Sequence, residues 1–229
     1  LSQGDYIQWF DSDDLMVAEK LELKVKAMLE NDVDFVVSQT KYFNAPAGLA
    51  DYEYNYKSSD VNLMSYTKDG ISWFTPDMFL KRVINIKVKF NEKLKSGQEG
   101  NFSYKLLLNK FKVLKIDEIL TFRRYHDNSI GASRRADEKR FLETTFNSNW
   151  ITLNELRRDY DLPAWFEKYV LIRGVKLYLK HGQLKINKKF HILLWKIIGI
   201  RAIYFHLACI TNSLFGKYIF FYKKMKNKI

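Results

Sequence analysis

Gly4-Asp5-Tyr6-Ile7-Gln8-Trp9-Phe10-Asp11-Ser12-Asp13-Asp14 is the stretch on which the fold turns. Tyr6–Phe10 is a short apolar and aromatic run that opens after a glycine and stops at an acidic cluster, the pattern of a buried strand. Beyond it, Val17, Leu21, Val25 and Met28 recur at helical spacing, with Glu22 and Lys26 four residues apart on one face. Asp13 or Asp14 stands where it can cap that helix. Asp34–Ser38 then reads as a second strand. Strand, acidic turn, helix and strand make a βαβ unit. It places the acidic turn at the C-terminal end of a strand, where open α/β sheets bind ligands.

Working outward, residues 44–62 contain Pro46, Gly48 and several tyrosines and read as a loop excursion. Phe74–Arg82 is expected to be a short helix, and Glu99–Phe111 a longer one. Val113–Ile116 and Ile119–Arg124 read as two strands. Ser133–Trp150 reads as a charge-rich surface helix, and from Pro163 the pattern is helical to the end. The expected architecture is α/β, with a mixed sheet over residues 1–132 and a basic helical extension over 133–229.

The 229 residues, 47% of them hydrophobic, suffice for one core and a helical appendage. The single Cys209 excludes an internal disulfide, fits a reducing compartment, and leaves no zinc-type spacing. The chain opens on Leu1 and polar residues without a signal-peptide pattern, and is expected to be a fragment that starts upstream. Its net charge of +12 is confined to one end. Residues 1–150 carry 22 Lys+Arg and 22 Asp+Glu, whereas residues 151–229 carry 16 and 4. Such asymmetry points to an anionic partner, against the simpler reading of a solvated basic face.

Asp11-Ser12-Asp13-Asp14 sets three carboxylates within four residues, which repel one another unless a cation lies between them. Hard oxygen ligands suit magnesium or manganese, ions that also bridge phosphate oxygens. The plainer reading is a solvated helix start, where aspartates favour the positive dipole end. An EF-hand loop is excluded, because Leu15 and Met16 stand where it needs an oxygen ligand and a glycine. A haloacid-dehalogenase Asp-x-Asp motif fits weakly, because Leu15 follows.

Ser2 to Leu15 resembles the "A-x-G-x-Y-I-x-F-L-D-x-D-D" stretch of glycosyltransferase family 2, a family of the GT-A fold, and Glu19-Lys20-Leu21 matches the helix that follows it. Gly97-Gln98-Glu99-Gly100-Asn101-Phe102 is similar to the family's Gly-Glu-Asp-x-x-Phe. Phe122-Arg123-Arg124-Tyr125-His126 and the residues to Ile130 are similar to its "Y-R-x-H-x-x-S-x-S". The three motifs stand in the family's order across residues 2–130. The resemblance implies an incomplete GT-A, Rossmann-like domain without the family's first strands, which hold the nucleotide base. It implies transfer of a sugar, with inversion, from a nucleotide sugar to an acceptor hydroxyl on a glycan or lipid carrier, in surface glycan synthesis.

The same resemblance implies roles. Asp11 would lie near the donor ribose and the metal, Asp13 would ligate manganese or magnesium directly, and His126 would be the second metal-site group. Imidazole leans the choice toward manganese. Glu99 stands at the place of the catalytic base, where the family more often has Asp, and Gln98 replaces the usual acidic neighbour. Arg123 and Arg124 suit contact with the diphosphate. Trp73 and the loop tyrosines suit either stacking on an acceptor sugar or an ordinary lid or core. A degenerate, non-catalytic module that binds membrane or a partner remains the alternative.

Residues 185–229 mix bulky apolar groups with lysine. Lys185, Lys188, Lys189 and Lys196 fall on one helical face, and Ile192, Leu193, Trp195, Ile197, Ile200, Ile203 and Tyr204 cover much of the rest. Lys196, Arg201 and His206 interrupt a stretch otherwise long enough to span a membrane, and a central Arg costs about 2.5–3.5 kcal/mol on insertion. A basic amphipathic segment at an anionic membrane surface is expected, peripheral to the cytoplasmic face of the cell membrane. The competing reading is that these helices pack on one another. No nucleic-acid-binding motif accompanies the charge.

Overall fold

The computed structural model of the chain describes residues 2–44, 60–126, 137–182 and 184–226. It forms two compact units, one of Leu1–Asn91 with Gln98–Ser133, the other of Glu92–Gly97 with Arg134–Ile229.

The first unit is built on five strands: β1 (Tyr6–Gln8), β2 (Leu15–Met16), β3 (Phe35–Phe43), β4 (Met78–Lys81) and β5 (Val113–Arg124). They form one mixed sheet in the order β1-β4-β3-β5-β2. β4 runs antiparallel to both β1 and β3, β3 runs parallel to β5, and β2 is antiparallel to β5. The side-chain alternation of strands sorts the core into two layers. Ile7, Phe35, Val37, Met78 and Leu80 pack with Phe102 and Leu106 of α4 (Gln98–Leu108). Val36 and Phe79 pack with Met28 of α1 (Lys20–Asn31) and with Val33. The sheet is thus covered by a helix on each face.

Three expected elements differ. Residues 74–82 are not a helix: after α2 (Leu63–Lys68), a 3₁₀ turn at Thr75–Asp77 leads into β4, and a short helix, α3 (Arg82–Lys87), follows. A four-residue apolar run carries no period that separates strand from helix. Its neighbours on both sides supply the ladder. The two strands expected at 113–124 are one, with a register irregularity opposite Gln39, whose side-chain amide donates to the Asp117 carbonyl at 2.7 Å. The helix expected at 133–150 runs over Glu138–Asp159 and buries Leu142, Phe146, Leu153 and Leu156, so it is a packing helix. Of the 44–62 loop, residues 45–59 lie outside the described residues.

The buried face of α1 also differs from the expected one. Leu21 is 45% exposed, whereas Lys20 and Lys24 are fully buried. Neither Asp13 nor Asp14 caps the helix: its N-cap position is Glu19, without a side-chain hydrogen bond. The short strand β2 intervenes and shifts the helix start. The Lys20 ammonium donates to the Pro76 carbonyl at 2.8 Å and to Thr121 Oγ1 at 2.6 Å. Lys24 donates to the Asp77 carbonyl at 2.7 Å and to Gln8 Oε1 at 3.2 Å. The fully buried Asp77 carboxylate accepts from Thr40 Oγ1 at 2.5 Å and from the Phe74 N–H at 2.8 Å. Burial lowers Lys24 to about 6, with Lys20 adding to it and Asp77 opposing. Burial likewise lowers Lys20 to about 8.

The second unit is helical. Glu138–Asp159 (α5) pairs with Ala164–His181 (α6). Lys188–Ile198 (α7), a 3₁₀ turn, Ile203–Phe215 (α8) and Ile219–Lys226 (α9) follow. The stretch Lys188–Phe215 is apolar and long enough to cross a membrane by length and composition, with a mean hydropathy of 1.6. It is broken at Gly199, whose φ of 58° and ψ of −142° no L-residue adopts without strain.

Replacing Asp77 removes the carboxylate that accepts from Thr40 and the Phe74 N–H and opposes the lowering of both buried lysines, leaving Lys20 with the charge of Asp14 alone among the described residues. Asp77→Ala is expected to cost about 3–5 kcal/mol of stability in urea unfolding. The lowered lysines also set the pH dependence. In the window between about 6 and their ordinary values, the unfolded chain binds more protons than the folded one, so stability rises with pH. Unfolding midpoints followed from pH 6 to pH 9 should rise, and Lys24→Met should flatten the rise.

Candidate active site

The acidic turn hangs between the end of β1 and the start of β2. It is closed by the Asp14 N–H donating to the Asp11 carbonyl at 3.3 Å. Because β2 pairs Leu15 with Phe122 and Met16 with Thr121, the turn is brought beside the end of β5. β3 and β5 run together to that same edge, with Phe43 opposite Arg124 and the Tyr125 N–H bonded to the Phe43 carbonyl at 3.0 Å. The site therefore forms where three strands converge.

Two of the expected metal-site residues meet there. His126 Nε2 lies 3.4 Å from Asp13 Oδ2, with both side chains about half exposed. That spacing is close to the distance of about 3 Å between neighbouring ligands of an octahedral ion with bonds of about 2.1 Å. Asp11 is exposed beside them. Among the described residues no three His, Cys, Asp or Glu side chains form a metal cluster. The donor set is one carboxylate and one imidazole, which suits an ion that completes its shell with phosphate oxygens and water.

Asp14 has a different task, which its place in the acidic run does not disclose. It is buried, and its Oδ1 accepts the Arg124 N–H at 3.0 Å. This bond latches the turn to β5. Burial raises its carboxyl above the ordinary value. The Arg124 N–H and the Arg123 charge oppose that rise, and Asp11 and Asp13 add to it. Its Oδ2 is buried without a hydrogen-bond partner.

The two arginines are laid on aromatic rings. The Arg123 guanidinium lies 4.6 Å from the Phe74 ring centroid and 6.0 Å from that of Tyr42. Arg124 lies 4.8 Å from the Phe43 centroid, and its Nε donates to the Asp13 carbonyl at 3.0 Å. Stacked guanidinium groups keep their charge while losing conformational freedom, which readies them for an anion.

Glu99 sits half-buried in the first turn of α4 and makes no hydrogen bond or ion pair among the described residues. One turn on, Phe102 packs edge-on against Trp9, at 5.3 Å between centroids, just ahead of the acidic turn. Gly97, with φ of 72°, admits the chain into the helix in a conformation that favours glycine. Trp73 is 3% exposed, packed on Phe35 and Tyr66, and belongs to the core. The end of the third motif, residues 127–130, lies outside the described residues.

Sequence reasoning passed over Lys20, Lys24, Asp77 and Thr121, the polar groups behind the turn. A lysine every fourth residue on an amphipathic helix is ordinarily a solvated stripe, and no local signal separates the two cases.

No known protein-family signature matches the chain. An uncharacterized glycosyltransferase of Methanocaldococcus jannaschii is 28% identical over 154 residues, which cover 66% of this chain and 52% of that protein. The chain therefore spans about half the length of this curated relative. Among solved structures, TarS of S. aureus in complex with UDP-GlcNAc aligns with a TM-score of 0.55 at 16% identity, over 98% of this chain and 67% of that one. Another TarS structure, of its residues 1–349, aligns with a TM-score of 0.52 at 15% identity, over 98% and 66%. The chain is thus similar in sequence to a glycosyltransferase, and its mixed five-stranded sheet with flanking helices is the α/β fold of TarS.

Proposed function

We propose that this chain is the catalytic part of a metal-dependent, inverting glycosyltransferase of the family 2 type. It moves a sugar from a nucleotide sugar to an acceptor hydroxyl during surface glycan synthesis, at the cytoplasmic face of the membrane. The observation that carries this reading is the Asp13–His126 pair, 3.4 Å apart at the edge where β1, β3 and β5 end. The similarity to a glycosyltransferase and the UDP-GlcNAc bound by TarS support a nucleotide-sugar ligand.

Asp13 and His126 would hold manganese or magnesium, with Asp11 beside them toward the donor ribose. When bound, such an ion neutralises the charge that gathers on a departing diphosphate. The protein's own groups do the rest. Arg123 and Arg124 keep positive charge at the same edge for the diphosphate oxygens. Glu99, in the first turn of α4, takes the acceptor proton. The helical unit holds the protein at an anionic membrane surface, near a glycan or lipid-linked acceptor. The alternative, a non-catalytic module that binds through its basic tail, is favoured by one observation: Gln98 and Glu99 depart from the family pattern.

Three outcomes test the reading. In the whole protein, donor hydrolysis and sugar transfer should stop in excess chelator, return with manganese or magnesium, and be abolished by Asp13→Ala. Full activity in chelator would exclude the metal. Glu99→Gln should keep its melting temperature and donor affinity yet lose about 10²–10⁴-fold in turnover; unchanged turnover would place the base elsewhere. Finally, the chain should co-sediment with anionic vesicles in a salt-sensitive way and lose this on truncation after Gln183. Tighter binding to DNA or RNA would contradict the membrane reading.

A further inference from the structure

The exposed apolar residues of the helical unit are unevenly placed. On α7, Phe190, Leu193, Leu194 and Ile198 turn into the core, and Ile192 and Trp195 stay outside. At the hairpin joining α8 to α9, Leu214, Phe215, Ile219 and Phe220 are all 59–69% exposed. Phe215, Ile219 and Phe220 line a groove of about 530 Å³ together with Thr211, Tyr218 and Phe221. Four large apolar groups crowded at one tip are costly to leave in water.

The tip is held in shape. Gly216 turns the chain with φ of 64°, the Gly216 N–H donates to the Asn212 carbonyl at 2.9 Å, and the Lys217 N–H donates to the Thr211 carbonyl at 3.3 Å. Asn212 also donates its side-chain amide to the Leu179 carbonyl at 2.8 Å, tying the hairpin to α6. Lys217, Lys223 and Lys224 are exposed around it, and the Lys224 ammonium lies 5.6 Å from the Phe220 ring centroid. From Lys168 to the end of the chain there are 14 Lys+Arg and no Asp or Glu.

That composition selects the occupant. The exposed charges of the tip, Lys217, Lys223 and Lys224, are all positive and repel a second copy of the same tip, and nucleic acid has no use for four exposed aliphatic and aromatic groups. A surface of anionic phosphates over hydrocarbon satisfies both halves. Resting on the membrane reading above, we propose that the α8–α9 tip is the membrane-contact site. Leu214, Phe215, Ile219 and Phe220 enter the acyl boundary of an anionic phospholipid bilayer, with lipid chain seated in the groove. Lys217, Lys223 and Lys224 meet the headgroup phosphates. Contact is by insertion of the tip from one side, and α7 contributes little.

The test is sedimentation of the full chain with phosphatidylcholine vesicles, alone and mixed with phosphatidylglycerol. The mutated side chains are exposed, and circular dichroism melting verifies that each variant folds. The unsubstituted chain should bind only the mixed vesicles. Phe215→Ser with Phe220→Ser should weaken binding by about tenfold or more. Lys217→Gln, Lys223→Gln and Lys224→Gln should each weaken it by about fivefold, and only on anionic vesicles. Ile192→Ser with Trp195→Ser should bind as the unsubstituted chain does. Loss in this last variant, or none at the tip, would overturn the assignment while leaving membrane binding itself intact. So would a tip variant that changes only self-association in sedimentation velocity, which would mean a second copy covers the face. Indifference of the unsubstituted chain to every vesicle would overturn the membrane reading and the tip with it.

Discussion

Two lysine side chains buried against one turn of backbone tie the sheet unit together. Lys20 and Lys24 reach through the apolar layer to the carbonyls of Pro76 and Asp77. Burial disfavours the charged form of both side chains, and the hydrogen bonds they donate together with the charge of Asp77 oppose that cost. The network joins five places in the chain. Gln8 belongs to β1, Thr40 to β3 and Thr121 to β5, the 74–77 turn leads into β4, and the lysines belong to α1. A purely apolar contact between α1 and the sheet would tolerate sliding, whereas directional bonds from two consecutive helical turns specify one register.

That register reaches the candidate site directly, because α1 follows the acidic turn. With the helix pinned, β2 has just enough chain to pair with β5. Asp14 can then latch to the Arg124 N–H while Asp13 faces His126. The three aspartates are adjacent in sequence but unlike in setting: Asp11 and Asp13 are exposed, and Asp14 is buried and desolvated. Similar division of labour appears in the arginines, whose guanidinium planes rest on Phe74 and Phe43. The site is made of short segments, and the sheet behind them supplies the stiffness.

The helical unit solves a different problem. Its inner faces are satisfied by Phe146, Phe190, Phe205 and their neighbours, and about a third of the apolar stretch that suggests a membrane is buried among them. Beyond Glu167 the chain supplies no further carboxylate; Lys180 pairs with Glu138 from α5, and lysines such as Lys217, Lys223 and Lys224 stand exposed. Of the large apolar groups left exposed, Ile200 stands in the turn after α7, and Leu214, Phe215, Ile219 and Phe220 stand together where α8 turns into α9.

The sequence by itself determined the α/β class, the strand ahead of the acidic turn, the helix that follows that turn, the helix around residue 100, and the helical character of the last third. Those features rest on local periodicity and turn chemistry, which a short window contains. It also brought Asp13 and His126 together as candidates, because the motif order survives in one dimension. The tertiary structure alone decided the rest. Whether Met78–Leu80 is strand or helix depends on β1 and β3 lying on either side. Whether Lys20 and Lys24 are solvent stripe or buried clamp depends on a turn more than fifty residues away. Which of three adjacent aspartates faces outward depends on the Arg124 N–H, at a separation of 110 residues. Long-range contacts choose among conformations that local preferences leave nearly equal in energy, and so they cannot be read from a window of sequence.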